Sequence, residues 1–214
     1  MATSSKTQGG YLKLICGPMY SGKTTHLTGE LTTAADTGMS VLYINHQDDM
    51  RSSTGETNGD EHHSTHRSGG TGLSFKLAKI RSSSLSKVDV ENYDVIGIDE
   101  CQFYDDLLTH VTDWVNQQGK VVYCAGLDAD AFMKPFGQTI QLVPLANEVT
   151  KLSARCRLCI EEHQNHKLKG DIINLRASFS ARLVSGKEQK LVGSTGKYDA
   201  MCRSHFLQNL EKDK

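Results

Sequence analysis

"GPMYSGKTTHL", residues 17–27, joins a run that reads as a strand to a run that reads as a helix. Its opening, Gly17 to Thr24, fits G-x-x-x-x-G-K-[ST] without a mismatch. Before it, "YLKLIC" (11–16) alternates polar and apolar residues, the period of a strand. After it, Leu27, Leu31 and Ala34 recur at helical spacing, and Gly38 supplies a stop. "SVLYIN" (40–45) is a second strand. A strand–loop–helix–strand order predicts a parallel βαβ unit, so the expected fold class is α/β, a mostly parallel sheet flanked by helices. The loop's chemistry follows from its backbone. Glycines let the chain curl so that N–H groups point inward, and the helix start adds positive potential. Lys23 then reaches the β- and γ-phosphates of a nucleotide, and the Thr24 hydroxyl faces Mg²⁺. The expected phosphate contacts are therefore Gly17, Pro18, Met19, Tyr20, Ser21, Gly22, Lys23 and Thr24.

Further along, "DVIGIDE" (94–100) is an apolar run that closes on two acids and reads as a buried strand. In a doubly wound sheet, ligands gather at the carboxyl ends of strands. Neighbours on a strand point to opposite faces. Asp99 is thus expected at the Mg²⁺ shell, which leaves Glu100 to face an acceptor hydroxyl or a water. "KVVYCAG" (120–126) reads as another buried strand, "EVTKLSA" (148–154) as one more, and "SFKLAKI" (74–80) as a short one. Asp105 is the expected cap of a helix whose apolar face, Leu107, Leu108, Val111, Trp114 and Val115, belongs to the core. Residues 52–72, rich in Ser, Thr and Gly, read as a long mobile loop.

The chain has 214 residues and a formal net charge of -1, which suits one domain plus a small appendix. That charge argues against a surface built to neutralise a nucleic-acid backbone. No apolar run reaches the ~18 residues of a membrane span. "MATSSKTQGG" lacks the apolar core of a signal peptide and reads as a flexible arm. The expected compartment is the cytoplasm, where the cysteines stay reduced. Cys16, Cys101 and Cys124 lie in or beside apolar strands and read as core.

After Ala154 the composition shifts. The expected organisation is an arm over 1–10, a nucleotide-binding α/β domain over 11–153, a small zinc-binding domain over 154–206 and a frayed polar tail over 207–214. Cys156-x-x-Cys159 and Cys202-x-x-His205 have the spacing of zinc ligands, and two such pairs make a closed, structural site. His163 and His166 lie in the gap as alternatives for the fourth ligand; the x-x spacing favours His205.

"GPMYSGKT", "IDECQF", "KPFG", "LVPLA", "CRLC" and "KYDAMCRSHF" occur in the order found in thymidine kinases of the type II, cytosolic kind. The chain resembles that family from about Tyr11 to Phe206. The resemblance implies transfer of the ATP γ-phosphoryl to the 5′-hydroxyl of thymidine, giving thymidine monophosphate. It also implies Mg²⁺, a structural Zn²⁺, a homotetramer and feedback inhibition by thymidine triphosphate. Glu100 matches the family's general base. Asp49 and Arg51 match a D-x-R after the second strand, where Arg51 balances charge beside the phosphates as a catalytic partner of Glu100 and Lys23. Gln102 and Phe103 match positions beside the base, with Phe103 packed on the thymine ring. Met19, Leu127 and Tyr198 match the pocket around the thymine methyl. The stretch from about Leu183 to Tyr198 matches a loop that closes over the nucleoside, with Gln189 and Leu191 as the expected contacts.

Four departures accompany the resemblance. Ala131 stands where an aromatic is common, and Phe132 follows it; either Phe132 swings in to cover the base or the pocket is looser there. Ser180 replaces a common Thr near the base, and one methyl fewer in an apolar pocket is worth about 1 kcal/mol. The gap between the zinc pairs is longer than usual, so "EEHQNHKLKGDIINL" reads as a mobile surface insertion. A His as fourth ligand leaves the site less negative and more readily emptied by acid. The rival reading, a phosphate-loop ATPase whose zinc module grips nucleic acid, lacks the interleaved aromatics that stack bases.

Overall fold

The computed structural model describes residues 9–47, 77–166, 175–184 and 197–212. The expected arm up to residue 8, the loop at 52–72 and most of the closing loop lie outside them. Strand β1 (Tyr11–Cys16) leads through the phosphate loop into α1 (Lys23–Asp36), then β2 (Val41–His46). β3 (Leu77–Ser82), β4 (Val95–Ile98), α2 (Leu107–Asn116), β5 (Val121–Gly126) and β6 (Glu148–Lys151) follow. The six strands form one sheet in the order β3-β2-β4-β5-β1-β6. Every pairing in it is parallel. All six carboxyl ends therefore lie along one edge, and β5 separates the phosphate-loop strand from the acid-bearing β4.

Strand alternation divides the core in two. Leu12, Leu14 and Cys16 face one side with Leu42, Ile44, Ile96 and Ile98, and pack against Leu107, Val111 and Trp114 of α2. Ile15, Val41, Val95 and Ala125 face the other side, against Leu27, Leu31, Ala34 and Ala35 of α1. Cys101 and Cys124 are fully buried, and burial pushes the Cys101 thiol up to about 12.

Three local expectations need correcting. The run at 148–154 is not a buried strand. β6 ends at Lys151 and is largely exposed, because among the described residues it lies last in the sheet and pairs with β1 alone. Asp106, not Asp105, occupies the N-cap of α2, and its side chain makes no cap bond to that helix. Its carboxylate instead accepts from the Ser84 hydroxyl and the Leu85 and Ser86 N–H groups at 2.6, 3.2 and 3.0 Å. Finally, the supposed frayed tail is helical as far as Lys212. α4 (Arg203–Lys212) packs Leu210 against the local core, and Asn209 donates to the Arg182 carbonyl at 2.9 Å.

The C-terminal part carries two small antiparallel sheets. β7 (Ala154–Arg155) pairs with β8 (Arg176–Ala177), and β9 (Phe179–Arg182) pairs with β10 (Tyr198–Met201). α3 (Arg157–His166) and α4 flank them. Their buried core is Ala154, Cys156, Ala177, Ala181, Ala200, Met201 and Phe206, small residues around a single large ring.

Candidate active site and metal centre

The phosphate loop turns on two glycines. Gly22 sits at φ 83°, ψ 21° as the N-cap of α1. Gly17 has φ 143°, and a Cβ there would meet the Leu152 carbonyl oxygen at 2.5 Å. The capping residue offers no side-chain acceptor, so the first-turn N–H groups of α1 remain directed at the loop's concavity, an anion site. Lys23 is buried, and its ammonium donates to the Pro18 carbonyl at 2.7 Å, as does the Ser21 hydroxyl at 2.8 Å.

Asp99 is 2% exposed, and three donors of known identity reach its oxygens. Thr24 Oγ1 and the Tyr43 hydroxyl reach Oδ2 at 2.8 and 2.9 Å, and the Glu100 N–H reaches Oδ1 at 3.0 Å. The pairing of a phosphate-loop hydroxyl with a strand-end carboxylate supplies hard oxygen donors, the chemistry that Mg²⁺ takes. Tyr43, from β2, was not singled out from the sequence; nothing in its local pattern marks it.

The two acids diverge for a reason other than the one expected. β4 ends at Ile98, so the alternation of a strand no longer governs Asp99 and Glu100. Glu100 instead adopts the left-handed conformation, φ 50°, ψ 41°. For a non-glycine residue this costs about 1–2 kcal/mol, a cost met where surrounding contacts hold the residue in place. One such contact is on hand: Gln102 Nε2 donates to Glu100 Oε2 at 2.5 Å, while Gln102 Oε1 accepts from the Leu127 N–H at 3.0 Å.

An aromatic wall stands beside the acids. Phe103 meets Phe136 edge to face, with centroids 5.7 Å apart, and His46 lies 5.4 Å from Phe103 and 4.9 Å from Tyr104. Phe136 and His46 were missed in the sequence. Phe136 stands in the quoted "KPFG", and His46 closes an apolar strand, which were the available signals. Ser180 and Tyr198 come from the β9–β10 hairpin to the phosphate loop: the Met19 N–H donates to Ser180 Oγ at 2.9 Å, and the Tyr20 hydroxyl donates to the Tyr198 carbonyl at 3.3 Å.

Hydrogen bonds thus link the phosphate loop, Asp99, Glu100, Gln102, Leu127, Ser180 and Tyr198 into one neighbourhood. Phe132 stands apart: it is 36% exposed, whereas Ala131 before it is buried. Asp130 holds the turn between them, accepting from the Phe132 and Lys134 N–H groups at 2.8 and 2.9 Å. Asp49, Arg51, Gln189 and Leu191 lie outside the described residues.

Away from the sheet, Cys156, Cys159, Cys202 and His205 bring one ligand atom each within 4.8 Å of one another. His205 Nδ1 lies 3.4, 3.3 and 3.3 Å from the three sulfurs, and Cys159 and Cys202 sulfurs are 3.5 Å apart. A tetrahedral ion with bonds of about 2.0–2.3 Å has edges of roughly 3.5–3.8 Å, so the cluster fits a Cys₃His zinc site. Burial and the neighbouring sulfurs push the Cys159 thiol up to about 12, so three packed thiolates need a cation among them. His205 Nε2 meets Glu162 Oε1 at 3.1 Å, the outer contact that fixes a ligating imidazole.

Comparison with known proteins follows the same outline. A family model described as "Thymidine kinase" matches residues 10–206. A thymidine kinase of Oryza sativa subsp. japonica is 36% identical over 201 residues, 92% of this chain and 66% of that protein. One from Bacteroides thetaiotaomicron is 33% identical over 204 residues, 95% of this chain and 90% of the relative. The thymidine kinase of Vaccinia virus (strain Western Reserve) is 30% identical over 203 residues, 94% and 99% of the two chains.

Proposed function

The chain belongs to the thymidine kinase family, and from that premise we infer how its residues hand the γ-phosphoryl of ATP to the 5′-hydroxyl of thymidine. It is an ATP-dependent nucleoside kinase, and thymidine is its acceptor. The observation that carries the assignment of roles is the pair of carboxylates, one bound to the phosphate loop through Thr24 and one, on a left-handed backbone, bound by Gln102.

An alcohol is far too weak an acid for a carboxylate of pKa about 4 to ionise in advance. In a loose phosphoryl-transfer transition state the proton leaves late. Glu100 orients the hydroxyl and collects its proton as the new P–O bond forms. Lys23 gives up its bond to the Pro18 carbonyl and turns to the phosphates. Thr24 and Asp99 would hold Mg²⁺, which would supply positive charge to the phosphates. Arg51 adds charge on the same side, and Asp49 belongs with it. Phe103, with Phe136 behind it, offers an aromatic face to thymine. Met19, Leu127, Ser180 and Tyr198 surround its 5-position, and Gln189 and Leu191 complete the covering loop. Phe132 reaches the base only by swinging in from its exposed position.

Zinc in the Cys₃His cluster supports the hairpin that supplies Ser180 and Tyr198. The boundaries at 153 and 206 enclose that module. Thymidine triphosphate carries both the base and a triphosphate, so it suits the two halves of the site as an inhibitor. A homotetramer accords with the exposed Ile140, Val143, Leu145 and Val149. A cytoplasmic location accords with the lack, among the described residues, of any helix long and apolar enough to cross a membrane.

The test is direct: purified protein with ATP, Mg²⁺ and each deoxynucleoside in turn, read by product mass. Thymidine monophosphate is the expected product. Unaltered nucleosides, or ATP hydrolysis stimulated only by DNA or RNA, overturn the reading.

A further inference from the structure

Gln102 is 3% exposed, and the resemblance puts it beside the thymine base. Its carboxamide is engaged differently. Nε2 donates to Glu100 Oε2 at 2.5 Å, and Oε1 accepts from the Leu127 N–H at 3.0 Å. Those partners fix which end is which: a reversed amide would set oxygen against carboxylate and N–H₂ against N–H. The group is also tightly walled. A Cβ on Gly126 would lie 2.8 Å from Gln102 Oε1 and 2.5 Å from Cys101 Sγ, and one on Gly137 would lie 2.2 Å from the Gln102 carbonyl oxygen. Side chain and backbone of Gln102 are therefore held from two sides, by the end of β5 and by the turn that precedes Thr139.

We propose that Gln102 is a positioning residue for phosphoryl transfer: anchored on the Leu127 N–H, its amide holds the Glu100 carboxylate in the orientation that meets the acceptor hydroxyl. The inference rests on the reading of Glu100 as proton acceptor. Two facts make the tether necessary. Glu100 sits in a backbone conformation that L-residues rarely adopt, and it follows a strand end instead of lying within one. Its side chain gets no direction from strand pleating. The Gln102 carboxamide ties the base to Leu127, a pocket residue, so proton acceptor and nucleoside pocket move as one body.

Two substitutions test this, each measured beside the parent with full thymidine and ATP saturation curves. Gln102→Met keeps the volume and removes both bonds. Gln102→Glu keeps the shape and the Leu127 bond but faces Glu100 with a like charge. Both are expected to lower kcat by about 10- to 100-fold, with KM for thymidine and ATP within about threefold of the parent. Unchanged kcat in Gln102→Met overturns the proposal, and so does a raised thymidine KM at constant kcat, which would assign Gln102 to the base. A parent-like kcat in Gln102→Glu also overturns it. A parent that phosphorylates no nucleoside defeats the underlying reading itself, an outcome visible before any variant is compared.

Discussion

The parallel sheet and the Cys₃His module reach order by opposite routes. The sheet buries two layers of Leu, Ile and Val between α1 and α2, and its site sits on strand ends that this core makes rigid. The module buries mostly alanine around Phe206, with the Phe179 ring tilted against it at 5.2 Å. So small a core supplies little burial energy, and four ligand side chains from two distant segments do the joining instead. Yet the module sends Ser180 and Tyr198 to the phosphate loop. The region built on burial thus depends, for the shape of its loop, on the region whose Cys₃His cluster fits zinc.

Removing the metal strains this contrast most. Structural zinc contributes on the order of 10 kcal/mol to the folding of small zinc modules. A chelator, or Cys202→Ser, is expected to melt the module, release zinc and abolish thymidine phosphorylation, while the sheet's own thermal transition persists. Following zinc release and circular dichroism together checks it; a single cooperative loss of both regions would break the comparison.

Glu100→Gln comes next. It preserves shape and removes the proton acceptor, so turnover should fall about 10²- to 10⁴-fold while ATP binding persists. Parent-like turnover in a steady-state assay would remove Glu100 from the mechanism.

The smallest effect probes the bridge between the two regions. Ser180→Ala deletes the acceptor of the Met19 N–H and leaves both cores intact. One net hydrogen bond is worth about 1 kcal/mol, so a roughly fivefold rise in KM for ATP is expected, with zinc content unchanged. Calorimetric ATP binding and metal analysis read the two together. An unaltered ATP affinity would mean that the module supports only the nucleoside side.

Sequence patterns carried much of this architecture. The loop from Gly17 to Thr24 specifies its own geometry through glycine and a helix start, and the strands around it follow from alternation. Cys156, Cys159, Cys202 and His205 were legible as pairs because x-x spacing lets one tight turn present two ligands. Errors arose where a local pattern has no means of reporting its neighbours. "EVTKLSA" resembles a buried strand in composition, but its exposure depends on being last in the sheet order. Asp105 and Asp106 look alike as caps until Ser84 to Ser86 claim the second carboxylate.

By itself, then, the sequence determined the phosphate loop, the acid pair, the parallel strand-and-helix framework and the members of the Cys₃His cluster, because each rests on residue chemistry and short spacing. Only the tertiary structure decided that Glu100 is turned by a left-handed backbone, that Tyr43 and Thr24 share Asp99, that Gln102 spans Glu100 and Leu127, and that Ser180 holds Met19 from 161 positions away. Those contacts follow from the order in which strands pair and from where a small module docks, and no local periodicity encodes either.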